Sequence, residues 1–419
     1  MTTIDNNQIY EVAIVGAGPA GATCAYYLAE KGIDVLLIDK EIFPRRKICG
    51  DAITVRAQHH LERMGVLQEV LEEKKGHWAA KGGIVGPSGI HYFGDSTNVD
   101  AEHLVIAIKR QIMDEKIVRA AEEAGIKLIE NYFVKDVQFS SEKKYWTLRA
   151  KDESKQPLKA KVLIVADGAA SRIARSLELV AGPPQATCSS VYIKAGTHEF
   201  QQDGVCYYPP KLVPGYCALF KEADGDLVYC CYIIPGGEAK KSDLRELHHE
   251  FLENYSFIRD ALGPNAEIEK MKAAPIRFGG IPKSYGDHLL IIGDAAGQID
   301  PLTGEGIQYA LDAAEIAAET IALGKEKNNY SEQILKNYQK NWMKSFGKDF
   351  KWSSRMVKVF ANNPIFVDAF ASVCKRKGDK FMREWGKIMT GSKRKLSFFL
   401  PRLAFPLLFE VLKLIFRKE

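Results

Sequence analysis

Hydrophobic residues along this chain fall into two kinds of pattern. Four short runs, at 10–15 (YEVAIV), 34–39 (DVLLID), 161–166 (KVLIVA) and 288–293 (HLLIIG), are apolar at nearly every position. A run without polar alternation reads as a strand buried on both faces, as in a parallel sheet. Elsewhere the apolar positions recur at helical spacing. This predicts helices over 20–31, 101–124, 242–262 and 304–323, and a mostly helical stretch over 331–389. Gly32 and Gly125 stand where the first two helices would stop. Residues 126–139 and 145–150 read as strands, and Gly82-Gly83-Ile84-Val85-Gly86 as a hairpin. Between 187 and 234 short runs rich in aromatic and β-branched residues, such as YCALF and LVYCCYIIP, predict an antiparallel sheet. The parallel-type strands therefore lie on both sides of a β-rich insertion.

Gly16-Ala17-Gly18-Pro19-Ala20-Gly21 follows the first strand and opens the first helix. A GxGxxG in that context predicts a Rossmann-type dinucleotide site. Gly16 permits the turn, Gly18 lets a pyrophosphate approach, and Gly21 lets the helix pack on the strand. Pro19 and Ala20 begin the helix, whose amides and dipole favour phosphate. Asp39 ends the second strand, where its carboxylate can accept both ribose hydroxyls of an adenosine. An acidic residue there disfavours a 2′-phosphate, so NADP is not expected in this loop. Lys40, beside it, is included among the expected cofactor contacts.

Two further motifs follow at strand ends. Asp167-Gly168 closes the strand at 161–166 and by itself is an ordinary turn signal. Gly293-Asp294 closes the strand at 288–293, and Gly304-Glu305-Gly306-Ile307 then opens a helix. A carboxylate at Asp294 can hold a polyol hydroxyl. The helix start at Gly304, Gly306 and Ile307 can face the pyrimidine edge of a flavin and stabilise its reduced, negative ring.

In this order, over about 10–325, the three motifs resemble the FAD-binding family of p-hydroxybenzoate hydroxylase type. That family also contains the geranylgeranyl reductases and many flavin halogenases. The resemblance implies FAD, with Asp167 and Gly168 near the cofactor, Asp294 at the ribityl chain and Arg110 near the phosphates. The expected fold is α/β with an α+β insertion. A discontinuous FAD-binding domain spans 1–75, 100–180 and 275–325, and an inserted antiparallel substrate domain spans 76–99 and 181–274. Residues 326–419 form a helical C-terminal region.

Phe43-Pro44-Arg45-Arg46-Lys47-Ile48-Cys49-Gly50-Asp51 is similar to a segment of the geranylgeranyl reductases and related halogenases. In the reductases it lies near flavin and prenyl substrate. Cys49 is thus the expected catalytic residue, and Arg46, Cys49 and Gly50 are expected cofactor contacts. The neighbouring cations Arg45, Arg46 and Lys47 predict a depressed thiol pKa at Cys49. Asp51 departs from the family's second glycine. The stretch 214–221 lacks the tryptophan and proline of the reductases' aromatic motif, and Glu305 stands where they often carry glycine.

The expected activity is reduction of C=C bonds in a prenyl or other lipid-like substrate, with the aromatic strands at 205–234 lining its tunnel. The alternatives are a monooxygenase or halogenase acting on an aromatic or polyketide-like compound, and a flavin-binding protein without turnover. No second glycine loop sits between a strand and a helix. NAD(P)H or another reductant would therefore reach the flavin without a dedicated domain.

Composition changes this picture little. A net charge of +5, dispersed in short runs, argues against a nucleic-acid partner. The 8 cysteines show no metal-ligand spacing, so no metal is expected and a reduced, cytoplasmic compartment fits. The N-terminus lacks the basic and apolar regions of a secretory leader. The segment 396–416 (LSFFLPRLAFPLLFEVLKLIF) is apolar and flanked by Lys393-Arg394-Lys395 and Arg417-Lys418. Its prolines and charges disfavour a span. It reads either as an interfacial segment at the inner face of a membrane or as a helix packed on the protein.

Overall fold

The computed structural model describes residues 8–99 and 103–416. Arg417-Lys418, the start of the expected 101–124 helix and most of the N-terminal stretch weighed as a leader lie outside the described residues.

Five strands pair in parallel in the spatial order Leu289–Ile291, Leu158–Val165, Ile9–Val15, Val35–Ile38 and Lys127–Ile129. Their side chains alternate between two cores, as the two-residue period of a strand requires. Val12 and Ile14 pack under the helices Pro19–Glu30, Arg110–Glu123 and Ile307–Glu326. Ala13 and Val15 face the hairpin Val134–Ser140/Tyr145–Ala150, which contributes Trp146 and Leu148. Covering both faces explains why these strands read as unbroken apolar runs.

The second sheet has seven strands in the order Lys272–Ile276, Ala186–Ile193, Leu227–Ile233, Tyr216–Lys221, Gly204–Tyr207, Lys81–Val85 and His91–Asp95. All pairs are antiparallel except Gly204–Tyr207 with Lys81–Val85. The expected hairpin at 82–86 is its outer edge. Helices Leu244–Asn254 and Ser256–Leu262 cover one face through Leu247, Phe251 and Ile258. On the other face Tyr216 and Tyr232 meet Trp385, Phe398 and Phe370 of the C-terminal helices. The C-terminal region is thus the second wall of the inserted sheet.

The helix expected over 101–124 begins only at Arg110. Val105–Ala107 is instead a strand, paired with Ala52–Thr54 and His77–Trp78. The run Leu104–Ile108 is short and apolar, and such a run does not fix its own conformation. Burial of Ile106 and Ile108 in the main core, together with strand pairing, decided it. The strand expected over 126–139 is likewise split by a turn, in which Asn131 has φ 54.

Candidate active site

The carboxyl ends of the parallel strands frame a cleft of about 640 Å³. The glycine loop forms its floor by close packing. At Gly16 φ is +104, and a Cβ there would stand 2.3 Å from the Ala166 carbonyl oxygen. A Cβ on Gly21 would lie 1.8 Å from the Gly16 oxygen, so this glycine sets the helix against the loop and faces away from the cleft. Asp39 stabilises the loop directly: its carboxylate accepts the Ala17 N–H at 2.7 Å and the Glu41 N–H at 2.9 Å.

Gly16, Gly18, Pro19, Ala20, Asp39, Lys40 and Arg46 line one side of this cleft. Arg110, Asp167, Gly168, Asp294, Gly306 and Ile307 line the other. Of the residues expected to hold the cofactor, only Gly21, Cys49, Gly50 and Gly304 lie outside it. The cleft fits an elongated dinucleotide. A side chain at Gly18 would meet only the Arg45 guanidinium, at 3.5 Å, and one at Gly168 would meet nothing within 4 Å. Both backbones are open to close approach. Asp167 Oδ1 and Arg46 Nη2 are buried without a hydrogen-bond partner among the described residues. Buried polar atoms are normally paired, so these two are placed to meet a ligand. Helix Ile307–Glu326 starts at the cleft, and its amide end faces inward.

A second cavity of about 440 Å³ joins the first: Lys47, Arg110, Asp294, Gly306 and Ile307 line both. Cys49, Gly50 and Gly304 are in its wall. Gly304 has φ +69, and a Cβ there would stand 2.8 Å from the Tyr232 ring. The aromatic strands contribute Tyr208, Tyr216, Phe220 and Tyr232, and the C-terminal helices contribute Phe360, Phe366, Phe370, Met382, Trp385 and Met389. The cavity is mostly apolar and is lined by two different parts of the chain.

The electrostatics of Cys49 differ from the sequence expectation. Burial pushes the thiol up from its ordinary value, the nearby Asp51 adds to this, and Arg110 opposes it. Arg45 instead pairs with Asp114 at 3.1 Å and Arg46 with Glu269, so the adjacent cations are spent elsewhere. These surroundings favour the neutral thiol over the thiolate. Arg110 is itself buried, with Nε and Nη2 on Asp114 at 2.6 and 2.8 Å. Between the two glycines, Glu305 is pushed up to about 8 by burial, although Lys395 and Arg56 act the other way.

Sequence reasoning missed Glu222, Tyr192 and the C-terminal aromatic lining. Phe381, Trp385 and Ile388 sit at helical spacing on one buried face of Asp379–Met389, a signal that was present. Glu222 had none, because its setting depends entirely on the sheet.

Comparison with known proteins follows the same lines. Residues 9–344 match the family described as FAD binding domain. The chain is 44% identical over 99% of its length to the Conditioned medium factor receptor 1 of Dictyostelium discoideum, covering 83% of that protein. It is 33% identical over 80% of its length to a digeranylgeranylglycerophospholipid reductase of Methanocaldococcus jannaschii, again covering 83% of it. A geranylgeranyl bacteriochlorophyll reductase-like protein from Thermoplasma acidophilum has the same fold, with TM-score 0.77 and 19% identity. That match covers 96% of this chain and 99% of the other. A flavin-dependent brominase shares it at TM-score 0.74 and 20% identity, covering 98% of this chain and 100% of the other.

Proposed function

We propose, from the premise that the chain belongs to the geranylgeranyl reductase family of FAD-dependent oxidoreductases, that it reduces C=C bonds in a prenyl or other lipid-like chain. The observation that carries this reading is the junction of the two cavities. The dinucleotide cleft opens at Asp294, Gly306 and Ile307 into a mostly apolar pocket of about 440 Å³, room for an apolar chain. FAD supplies the hydride when it is reduced by NAD(P)H or another donor.

The protein's own residues do the rest. Gly16, Gly18 and the start of helix Pro19–Glu30 would hold the pyrophosphate, and Asp39 the adenosine ribose. Asp167 and Asp294 would hold polar groups of the cofactor elsewhere in the cleft. The amide end of Ile307–Glu326 would stabilise the reduced ring. An unactivated alkene develops no oxyanion, so catalysis rests on positioning in a dry pocket. The apolar walls exclude water, and the neutral Cys49 thiol faces the substrate as a proton source.

The test is anaerobic incubation of the FAD-reconstituted protein with a chemical reductant and geranylgeranyl lipids, followed by mass spectrometry. The expected result is a gain of two hydrogens per reduced bond. Unchanged lipid mass would overturn the reading. Glu305, where the reductases often have glycine, favours a second reading: oxygenation or halogenation. Admitting O₂ to the reduced protein would then give a C4a-adduct absorbance.

A lipid substrate gives the C-terminal helix a role. No helix among the described residues is long and apolar enough to cross a membrane. In Pro401–Phe416, Glu410 turns inward and is 2% exposed, accepting the Ser372 hydroxyl at 2.8 Å. The outer face is left to Phe405, Leu408, Phe409, Leu412 and Phe416. This helix packs on Ile365–Lys377, whose Phe366, Val367 and Phe370 line the apolar pocket. The face is proposed to rest on an anionic bilayer, so that substrate passes from lipid to pocket. Phe405→Ser/Phe409→Ser is expected to lower affinity for phosphatidylglycerol vesicles in co-flotation by about a hundredfold or more, because two aromatics inserted into the lipid are worth about 3 kcal/mol or more. Equal flotation of variant and wild type would refute the docking.

A further inference from the structure

The pocket wall carries acids that alkene reduction, as described, does not use. Asp51 is fully buried and holds a left-handed backbone with φ 57, a conformation that favours glycine. Its Oδ2 accepts a hydrogen bond from the Tyr192 hydroxyl. Its Oδ1 has no partner among the described residues, and the residue lines the apolar pocket beside Cys49. The Asp51 N–H also supports the Cys49 sulfur.

Glu222 lies close enough to Tyr192 and Asp51 to interact with both electrostatically. It is 1% exposed, and neither of its carboxyl oxygens has a partner among the described residues. Toward solvent the cluster ends at Lys109, which pairs with Asp224 at 2.5 Å and Asp226 at 2.6 Å. The Lys109 ammonium also stands 5.0 Å from the Tyr192 ring centre, and the Arg46 guanidinium 4.5 Å from it. Lys109, Glu222, Tyr192, Asp51 and Cys49 thus form one cluster of electrostatically interacting groups, in which Tyr192 is hydrogen-bonded to Asp51.

The charges decide what these groups hold. Arg110 and Asp114 face Asp51, but they are matched to each other. Lys109 faces Glu222 but is matched to two surface aspartates. Asp51 and Glu222 are thus two buried carboxyls without a cation of their own. Burial and mutual repulsion favour the protonated forms. Burial, partly opposed by the Tyr192 hydrogen bond, raises Asp51 to about 7, and burial and Asp51 raise Glu222 further. The pair titrates as a unit rather than as two independent acids.

We propose that Glu222, Tyr192 and Asp51 form a proton path from the Lys109–Asp224–Asp226 surface to the pocket wall at Cys49. The path takes its purpose from the alkene-reduction reading. Each C=C reduced needs one hydride, whose electron pair comes from reduced flavin, and one proton. The Cys49 S–H bond breaks as the second C–H bond forms. The thiolate then takes a proton from Asp51 and Asp51 from Tyr192; a bridging water carries the next proton from Glu222 to Tyr192, and a second water recharges Glu222 from the Lys109 surface. The net uptake is one solvent proton per bond reduced.

The test has a readout independent of turnover. In the FAD-loaded protein, alkylation of Cys49 by iodoacetamide is followed against pH by peptide mass spectrometry. Above about pH 7, where Asp51 is ionised, Asp51→Asn removes a negative charge beside the thiol and is expected to speed alkylation at about pH 8–9 by roughly three- to tenfold, with little effect below about pH 6. Glu222→Gln is expected to shift the profile in the same direction by less, and Asp51→Glu to restore it. Superimposable profiles for wild type, Asp51→Asn and Glu222→Gln would overturn the coupling. With lipid substrate, Asp51→Asn is expected to lower turnover about a hundredfold and Glu222→Gln about tenfold, with an altered solvent deuterium isotope effect. Turnover and isotope effect unchanged in both variants would overturn the path. Shifted profiles in a protein that reduces no lipid would support the coupling and count against the alkene reading. Tyr192→Phe interrupts the hydroxyl while keeping the ring, and covers the case in which a carboxyl variant fails to fold.

Discussion

Replacing Gly16 with alanine is expected to strip the protein of FAD and to lower its thermal stability. The new Cβ would stand 2.3 Å from the Ala166 carbonyl oxygen and 2.6 Å from its carbon. Both atoms belong to the backbone that leads into Asp167-Gly168, so relief requires moving two strand ends apart. The φ of +104 adds strain that an L side chain does not ordinarily accept, on the order of 1–3 kcal/mol. The displaced loop also carries the Ala17 N–H away from Asp39. FAD affinity is expected to fall by a hundredfold or more, which corresponds to about 2.7 kcal/mol. Gly18→Ala is the control. Its Cβ would meet only the far end of Arg45, at 3.5 Å, so stability should change by about 0.5 kcal/mol or less. Affinity should still fall, because the methyl enters the cleft. Flavin absorbance after gel filtration and thermal melts separate the two effects. Wild-type flavin retention in Gly16→Ala would refute the argument.

The contrast shows which parts of this fold the sequence reveals. The glycine loop, Asp39, Asp294 and the helix start at Ile307 are legible because each belongs to a local turn with its own stereochemistry. The buried parallel strands are legible because helices cover one face and a hairpin the other, which removes polar alternation. Leu104–Ile108 was misread because five apolar residues fit a strand or a helix equally well, and the partner strands at 52–54 and 77–78 are distant in sequence. Cys49 shows the same limit in electrostatics. Counting its basic neighbours along the chain predicts a depressed pKa. In the fold Arg45 and Arg46 turn toward Asp114 and Glu269, and burial wins. Pairing between sequence-distant charges is what a linear reading cannot supply. Asp51 was visible as a departure from glycine, but its meaning depends on Tyr192 and Glu222, which only the inserted sheet brings beside it.

A second large effect is expected from Lys395→Met. Lys395 is 1% exposed, and its ammonium stands 3.5 Å from Asp300 Oδ2. It also donates to the Ile388 and Met389 carbonyls at 3.0 and 3.1 Å, completing the C-terminal end of helix Asp379–Met389. Asp300 is fully buried and accepts the Leu302 and Thr303 amides and the Ser353 hydroxyl. One ion pair therefore joins the helix that walls the apolar pocket to the loop that leads into Gly304-Glu305-Gly306. Removing the cation leaves a buried carboxylate without a countercharge, which costs about 3–5 kcal/mol. The melting temperature should fall by several degrees, and the loop into Gly304-Glu305-Gly306 should loosen, with a changed absorbance envelope of bound flavin as the expected readout. Lys395→Met/Asp300→Asn should recover much of the stability, because the uncompensated charge is gone while the amide oxygen still accepts from Leu302 and Thr303 and its NH2 can donate to the Ser353 oxygen. If Lys395→Met melts with wild type, the pair contributes nothing and the C-terminal helices are held by apolar packing alone. If the double variant melts no higher than the single, the loss comes from the helix-end carbonyls rather than from Asp300. The two outcomes thus separate electrostatic coupling across the pocket from simple capping of one of its walls.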